Sequence, residues 1–424
     1  MARVIVCASV LLLVEQHGPN IVNLAAMPPG THLPPRILKY LLAWVPTSPE
    51  LASALLGLLR GLLVLCMLGA ASRTTALLAC LVSVYVLGQR YLLGGVGHAL
   101  HFAPLMLAVL AATPCGDALG LDALRRWGRW RGPAEPAPAY GAGVLWIGVV
   151  LGLAYFFPGA WKLASAGWDW CNGQALLRAL QMRLDPSPLP LPIDRWPWAL
   201  ALGGIFTLLL ELLFLPLVFV RAARPWLAAA CITFHALILL FLQIDFLAMS
   251  LSSLALVDWS RGLGVPAWTR RPERARGPAR LAGVVGAGIA AAFVWTGLVR
   301  QGEAWPVSVF PTFVWLAADR PFVEARCTWV DASGVERPLA DGDMPGLMGD
   351  ASQVGKVLTT MLWRPVGHAR ADAHRAALLR ALAERQGVLE SAVALRVYRE
   401  QRPVGPRRGP GASRELVQEI AVRR

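Results

Sequence analysis

The chain has 424 residues, of which 56% are hydrophobic and only 16% are charged, and its mean hydropathy is +0.52. Because soluble domains carry roughly 25% charged residues, this composition excludes an ordinary soluble protein and predicts an integral membrane protein. The net charge is +14, and only three of the 40 basic residues are lysines. No basic face interleaved with aromatic residues lies outside the apolar runs, so nucleic acid is not an expected partner.

Nine apolar stretches approach the length of about 20 residues that a helix needs to cross a bilayer. The expected spans are 3–24, 50–70, 74–93, 97–113, 141–161, 197–220, 225–242, 244–258 and 280–299. The eighth span is short, so the run over 225–258 fits either one long helix or two helices that meet at a tight turn. The fold class predicted is an all-α polytopic membrane bundle of about nine transmembrane helices, followed by a small α+β extramembrane domain.

Loop charge predicts the orientation of these spans, because short cytoplasmic loops carry an excess of Arg and Lys. With a cytoplasmic N-terminus, all four inner loops contain arginine, whereas the outer segments carry charges of both signs. An odd number of spans then places the tail on the outer face. The strong preference for arginine, together with much alanine, glycine and leucine, suggests a high-GC bacterial genome. We therefore expect a multi-pass protein of the bacterial inner membrane whose C-terminal domain faces the periplasm.

The tail differs from the rest of the chain in being charged and rich in turn residues. We expect a transmembrane helical domain over 1–299 and a small α+β extramembrane domain over 300–424. The stretch FVEARCTWVDASGVERPL predicts two strands around a D-x-S-G turn. Residues 369–386 predict an amphipathic helix, and SAVALRVYRE and RELVQEIAVR alternate as strands do, with a loop between them.

Several ionisable residues fall inside the expected spans, where charge is costly and commonly marks a functional site. Arg60 and Glu211 also fit a structural ion pair with each other, and His235 fits an interhelical hydrogen bond. His98 and His101 share a helix face at i, i+3, and they could bind a quinone oxygen or move protons. No further ligands are evident for a metal, and the seven scattered cysteines contain no CxxC motif, so neither a metal site nor a disulfide framework is predicted.

Lys162 lies in the stretch YFFPGAWKLASAGWDWCNG, at the end of an aliphatic span. One interpretation is an interfacial anchor, in which the lysine reaches towards water while Trp161, Trp168 and Trp170 form an aromatic belt. The other interpretation is a catalytic base, and it depends on the presence of a lysine in a chain that otherwise uses arginine. A desolvated lysine can lose its proton and act as a base, which arginine cannot do.

The stretch LAYFFPGAWKLASAGWDWCNGQAL resembles the signature of the HTTM membrane-domain family, whose best-known member is the vitamin K-dependent gamma-carboxylase. The positions that carry the resemblance are Tyr155, Gly159, Lys162, Leu163, Trp170 and Gly173. The segments LGAASRTTALL, GHALHFAPLM, CITFHALILL and WPVSVFPTFV are also similar to this family, and together they extend the resemblance over about 1–320.

The resemblance implies quinol-dependent carboxylase- or epoxidase-type chemistry. In that chemistry Lys162 deprotonates a menaquinol-like vitamin K hydroquinone, and oxygen addition then yields a strong base. That base takes a proton from a protein or peptide glutamate, which attacks carbon dioxide while the quinone leaves as the epoxide. We expect His98 or His101 to assist Lys162. Cofactor contacts are expected from Trp161, Trp168, Trp170, His235, Arg60 and Glu211. The expected partners are the lipid bilayer, an isoprenoid quinone and the glutamate substrate, although the tail contains no recognisable peptide-docking element.

Two other functions also fit the sequence. A DoxX-like quinone-linked redox accessory would pass electrons between quinone and thiols, and a disulfide between Cys171 and Cys327 would favour it. A non-catalytic scaffold or transporter would use the buried charges as structural pairs or as a permeation path. The chain shows no inverted repeat interrupted by Gly or Pro, which argues against a transporter.

Overall fold

The structure is a computed structural model that describes residues 1–93, 99–128, 130, 138–181, 192–242, 244–259, 276–299, 304–307, 322–339, 369–385, 387–402 and 413–422. Within these ranges the α-helices are α1 (Ala2–Ala25), α2 (Arg36–Trp44), α3 (Pro49–Leu68), α4 (Ser72–Val86), α5 (Phe102–Ala112), α6 (Leu121–Trp127), α7 (Pro138–Cys171), α8 (Gln174–Gln181), α9 (Pro197–Val218), α10 (Arg224–Leu242), α11 (Leu247–Ser252), α12 (Arg276–Leu298) and α13 (Ala369–Arg385). The strands are β1 (Phe322–Asp331), β2 (Glu336–Pro338), β3 (Ala392–Arg402) and β4 (Ser413–Ala421).

The chain is a multi-pass membrane protein. Among the described residues, six helices are long and apolar enough to cross a bilayer, namely α1, α3, α7, α9, α12 and the segment Arg221–Leu242 that contains α10. The other three expected spans coincide with shorter elements. These are α4 with the 3₁₀ turn Leu87–Tyr91, α5, and α11 with the 3₁₀ turn Ser253–Leu256. Helix length alone therefore does not establish the count of nine.

The apolar run over 225–258 forms two helices. Helix α10 ends at Leu242 and α11 begins at Leu247. Between them the Asp245 side chain accepts a hydrogen bond from the Leu247 backbone N–H at 2.8 Å. An aspartate that bonds the backbone two residues on stabilises a turn, so this polar residue separates two apolar segments.

The chain divides into two compact units. The first unit comprises Met1–Gly18, Ser53–Gly88 and Val96–Leu316, and the second comprises Pro19–Ala52, Gln89–Gly95 and Ala317–Arg424. The second unit thus combines the tail with two segments that we expected in the transmembrane domain. Within it, the Leu33 N–H donates to the Leu92 carbonyl at 2.5 Å, and His374 Nε2 lies 2.6 Å from the Thr31 carbonyl oxygen.

Helix ends in the first unit meet in two groups. In one group, the Arg3 guanidinium donates to the carbonyl oxygens of Met67 at 3.3 Å and Cys115 at 2.8 Å, which joins the start of α1 to the ends of α3 and α5. In the other group, Trp305 Nε1 donates to the Val84 carbonyl at 2.8 Å, which joins the end of α4 to the segment after α12. Consecutive helices α3, α4 and α5 therefore run in alternating directions.

Helices α7 and α9 pack closely and antiparallel along a row of glycines on α7. A Cβ atom added at Gly148 would lie 2.6 Å from the Val218 side chain, and one at Gly152 would lie 2.8 Å from the Leu215 Cα atom. Small residues let membrane helices approach one another to backbone contact, where dispersion and polar contacts hold them together. This packing brings the middle of α9 against the second half of α7.

The tail in the second unit forms a four-stranded antiparallel sheet in the order β2-β1-β3-β4. All four strands and the helix predicted from the sequence are present, and the α+β fold of the tail is confirmed. The Asp331 side chain accepts backbone hydrogen bonds from Ser333 and Val335, and Gly334 has a φ of +83°. Glycine tolerates this left-handed conformation, so the turn forms where the D-x-S-G motif predicts it. Most of the predicted loop over 402–414 lies outside the described residues.

Candidate functional site

Lys162 and Glu211 form a buried ion pair between α7 and α9. The ammonium Nζ donates to Glu211 Oε1, and the two side chains are only 3% and 6% exposed. The centroid of the Trp170 ring lies 5.0 Å from Nζ. The face of an aromatic ring attracts a cation. Protein groups therefore surround the Lys162 amine.

The backbone of α7 creates the space for this pair. Pro158 lies inside the helix and cannot donate a hydrogen bond to the preceding turn. Ala166 has non-helical dihedral angles, with φ −151° and ψ 34°, so the helix is kinked between Lys162 and Trp170. A Cβ atom at Gly159 would lie 2.7 Å from the Glu211 Cβ, so the glycine is what permits α9 to come so close.

A cavity of about 60 Å³ adjoins the pair. Helices α7, α8, α9, α10 and α11 and the residue before α11 contribute to its wall. Most of this wall is apolar, and aromatic rings come from Trp170, Phe234 and Phe246. The lining residues are Ala154, Tyr155, Pro158, Lys162, Trp170, Leu176, Ala179, Thr207, Glu211, Phe234, Ile238, Leu242, Phe246 and Met249. An apolar pocket with a few convergent polar groups is the usual form of a small-molecule site.

Two cavity-lining residues contain a buried polar atom that lacks a hydrogen-bond partner in the part of the chain that the structure describes. These atoms are Glu211 Oε2, an acceptor, and Trp170 Nε1, a donor. Buried polar atoms are nearly always paired, and an unpaired one costs about 1–3 kcal/mol. A neutral ligand with a hydroxyl group could pair with both atoms, because a hydroxyl group both donates and accepts.

Tyr155 connects His235 to the cavity. Its hydroxyl lies 2.5 Å from His235 Nε2 and 3.0 Å from Cys231 Sγ, and its ring stacks on Phe214 with the centroids 4.8 Å apart. His235 does not itself line the cavity. We did not select Tyr155 as a site residue, although its spacing of seven residues from Lys162 puts both on one face of α7.

Arg60 does not pair with Glu211, and the pairing that we considered from the sequence is wrong. Arg60 Nε donates to Glu15 Oε1 at 2.6 Å, and the same arginine reaches Glu15 Oε2 at 3.3 Å. Arg60 does not line the cavity. Glu211 is paired instead with Lys162, because the kinked helix α7 and not α3 faces the middle of α9.

The remaining predicted site residues occupy different places. Trp161 is buried but is not part of the cavity wall, and Trp168 is 78% exposed. His101 Nδ1 lies 2.8 Å from the Pro306 carbonyl oxygen, and its ring is 4.9 Å from that of Trp305. His98 lies outside the described residues. Of the predicted set, the structure brings together Lys162, Glu211 and Trp170, with His235 joined to them through Tyr155.

All seven cysteines fall within the described ranges, and none of them is in a disulfide. The disulfide between Cys171 and Cys327 that would favour a redox accessory is therefore not formed. Among the described residues, no group of three or more His, Cys, Asp or Glu side chains is arranged to hold a metal ion.

Comparison with protein families gives one finding. The family model described as the HTTM domain matches residues 32–257, which is just over half of the chain. The matched range contains every residue that lines the cavity. No curated protein and no solved structure shows significant similarity to the chain.

Proposed function

Because the chain belongs to the HTTM-domain family, we propose that it is a membrane enzyme with quinol-dependent, carboxylase- or epoxidase-type chemistry at the Lys162 cavity. The supporting observation is the enclosed ion pair of Lys162 and Glu211, which adjoins an apolar cavity and leaves one carboxylate oxygen unpaired. Ionisable groups at membrane depth face the protein interior and commonly mark the site of chemistry.

The residues present suit the head group of a reduced quinone. Trp170, Phe234 and Phe246 offer flat apolar surfaces to an aromatic ring, and the unpaired atoms of Glu211 and Trp170 offer partners to a ring hydroxyl. The cavity volume of about 60 Å³ corresponds to only a few water molecules at roughly 10–15 Å³ each. A quinol ring is larger, so side chains of the cavity wall must move to admit it.

A bound quinol supplies an acidic hydroxyl and reducing equivalents, and the protein supplies the base. In apolar surroundings a neutral amine paired with a carboxylic acid avoids the cost of desolvating two ions. This reduces the difference in free energy between the neutral pair and the charged pair. Lys162 can then take up a proton and become an ammonium, which the Trp170 ring stabilises. Arginine could not alternate between these two states.

We propose further that the protein crosses a bacterial inner membrane nine times, with a cytoplasmic N-terminus and the tail on the periplasmic side. The alternating directions of α3, α4 and α5 support this topology. The second unit supports it as well, because contacts such as His374 with Thr31 require the tail and the segment after α1 to lie on one side of the membrane. The bilayer would deliver an isoprenoid quinol, and the group carboxylated would be a protein or peptide glutamate.

The substitution Lys162→Arg tests the role of the amine. It keeps the positive charge but removes the ability to lose a proton, and general-base catalysis typically contributes roughly 100- to 10,000-fold. We expect Lys162→Arg to retain its thermal unfolding midpoint in detergent while its rate of menadiol oxidation falls by about that factor. Lys39→Arg, at an exposed position on α2, is the matched control and should keep the wild-type rate.

Full turnover by Lys162→Arg would exclude Lys162 as the base. The ion pair with Glu211 would then be a structural contact within the bundle.

A further inference from the structure

The two oxygens of Glu211 have different surroundings. Oε1 accepts the hydrogen bond from Lys162 Nζ, and Oε2 is buried without a partner among the described residues. The ion pair of Arg60 and Glu15 provides a contrast, because Arg60 engages both oxygens of Glu15. A carboxylate that serves only as a counter-ion has no reason to leave one oxygen buried and unpaired at a cost of about 1–3 kcal/mol.

The Lys162 amine lies close to two side chains. Its Nζ donates to Glu211 Oε1, and the Trp170 ring lies 5.0 Å away. In a neutral pair the lone pair of the amine would accept the proton of the carboxylic acid, so no other proton could reach Nζ directly. Among the described residues, Glu211 Oε2 is a buried acceptor in the cavity wall that has no partner, and it belongs to the same carboxyl group.

We propose that Glu211 is a catalytic proton relay between a ligand hydroxyl and Lys162. Oε2 accepts the hydroxyl proton, and that O–H bond breaks with its electron pair remaining on the ligand oxygen. In the neutral form of the pair, from which this step starts, Oε1 holds the shared proton and at the same time passes it to the lone pair of Nζ. One proton enters the carboxyl group and one leaves it, so Glu211 stays a neutral acid and Lys162 becomes the ammonium. This inference rests on the proposed function, in which Lys162 is the base.

The relay also sets which redox form of the ligand binds. A quinol hydroxyl can donate to Glu211 Oε2 and accept from Trp170 Nε1, whereas a quinone carbonyl can only accept and leaves Oε2 unpaired. The site therefore recognises the reduced ring. An unmade hydrogen bond to a buried acceptor costs enough to weaken binding by about tenfold or more.

Binding of menadiol and of menadione, measured without oxygen, tests the proposal in the absence of turnover. The dissociation constants follow from the rise of the unfolding midpoint with ligand concentration. We expect wild-type protein to bind menadiol about tenfold more tightly than menadione. Glu211→Gln should lose this preference, because the amide oxygen accepts from Lys162 Nζ in place of Oε1 and the amide nitrogen, which cannot accept, then faces the ligand. Glu15→Gln, in the other ion pair, is the matched control and should keep it.

Infrared difference spectra supply a readout that needs no variant. With ¹³C-carboxyl glutamate, menadiol should shift a carboxylic acid band of the wild-type protein, because Oε2 gains a hydrogen bond, and menadione should not. This measurement applies even if Glu211→Gln does not fold. Menadiol binding without any change in a glutamate band would overturn the relay.

Turnover separates the failure of this proposal from that of the proposed function. We expect Glu211→Gln to oxidise menadiol roughly 100-fold more slowly than wild type or worse, with Glu211→Asp partly restoring the rate. If Lys162→Arg is inactive while Glu211→Gln keeps wild-type turnover and the menadiol preference, the relay is wrong and the base role of Lys162 stands. If both variants keep full turnover, both proposals fail.

Discussion

Lys162 and Glu211 form a buried ion pair, a contact that is weak evidence for stability. Replacing a buried ion pair by well-packed hydrophobic residues is often neutral or stabilising by about 1–4 kcal/mol, whereas removal of one partner alone is strongly destabilising. Both residues are buried, and Glu211 has an unsatisfied oxygen in addition. This agrees with the proton transfer that we propose, and variants should keep both positions polar to separate its effect from that on stability.

His32 gives a pH dependence that can be tested in the second unit, outside the spans. Burial lowers the pKa of its imidazole below the ordinary value of 6.5, and nearby His374 lowers it further, against opposing backbone hydrogen bonds. Because the unfolded state then binds more protons than the folded state, stability is complete above about pH 6.5 and decreases as the pH falls through the lowered folded pKa. We expect acidification from pH 7.5 to 5.5 to lower the unfolding midpoint of wild type more than that of His32→Gln.

The comparison uses the full chain in detergent, so that the other titrating groups contribute equally to both proteins. An equal decrease of the unfolding midpoint in wild type and His32→Gln would show that His32 has no part in the acid sensitivity.

Helix α7 is the element on which the site depends. It contributes Tyr155, Lys162 and Trp170, and its kink lets the last of these turn back towards the ammonium. Its glycines allow α9 to come close enough for Glu211 to reach Lys162. The apolar sequence of α7 would suit any membrane span, and only the pattern of small residues and the proline distinguishes it.

The substitution Gly152→Val tests this close packing. The added Cβ would lie 2.8 Å from the Leu215 Cα atom, and backbone cannot give way as a flexible side chain can. We expect destabilisation by about 1–3 kcal/mol, measured as a lower unfolding midpoint, together with slower menadiol oxidation because Lys162 and Glu211 move apart. Gly141→Val on the same helix, where an added Cβ meets nothing within 4 Å, is the matched control. Equal midpoints for the two variants would contradict the packing argument.

The whole molecule combines apolar helices with a charged domain whose location depends on the number of membrane crossings. In the part of the chain that the structure describes, six helices qualify as spans by length and composition, while α4, α5 and α11 are short. Short helices can cross a bilayer where neighbouring helices and additional 3₁₀ turns complete the path and protect the backbone. In the proposed topology, the 3₁₀ turns after α4 and α11 would serve as such extensions.

Epitope tags in the intact chain test the proposed topology. One tag follows Gly128, in a loop expected in the cytoplasm, and the other follows the C-terminal Arg424. With nine crossings, antibodies should reach the C-terminal tag in spheroplasts without permeabilisation. They should reach the tag that follows Gly128 only when the spheroplasts are permeabilised. A C-terminal tag that is protected in intact spheroplasts would require an even number of crossings and would reverse the assignment of the tail.

The sequence alone determined the features that depend on local composition and spacing. Apolar runs predict a membrane protein because the hydrocarbon core excludes charge, and alternation with turn residues predicted the strands of the tail and the turn at Asp331. The unusual lysine at 162 was recognisable because the chain otherwise uses arginine. Each of these signals is contained in a short segment of chain, so no knowledge of distant contacts was needed.

Only the tertiary structure decided which distant residues meet. Glu211 is 49 residues from Lys162 along the chain and His235 is 80 from Tyr155. The first contact follows from the glycine-permitted approach of α7 to α9. Contacts between distant residues also explain why Arg60 was wrongly considered as a partner of Glu211. They explain as well why segments near residues 30 and 90 join the tail in one unit. Charge and hydropathy indicate that a buried group needs a partner, but helix packing selects it.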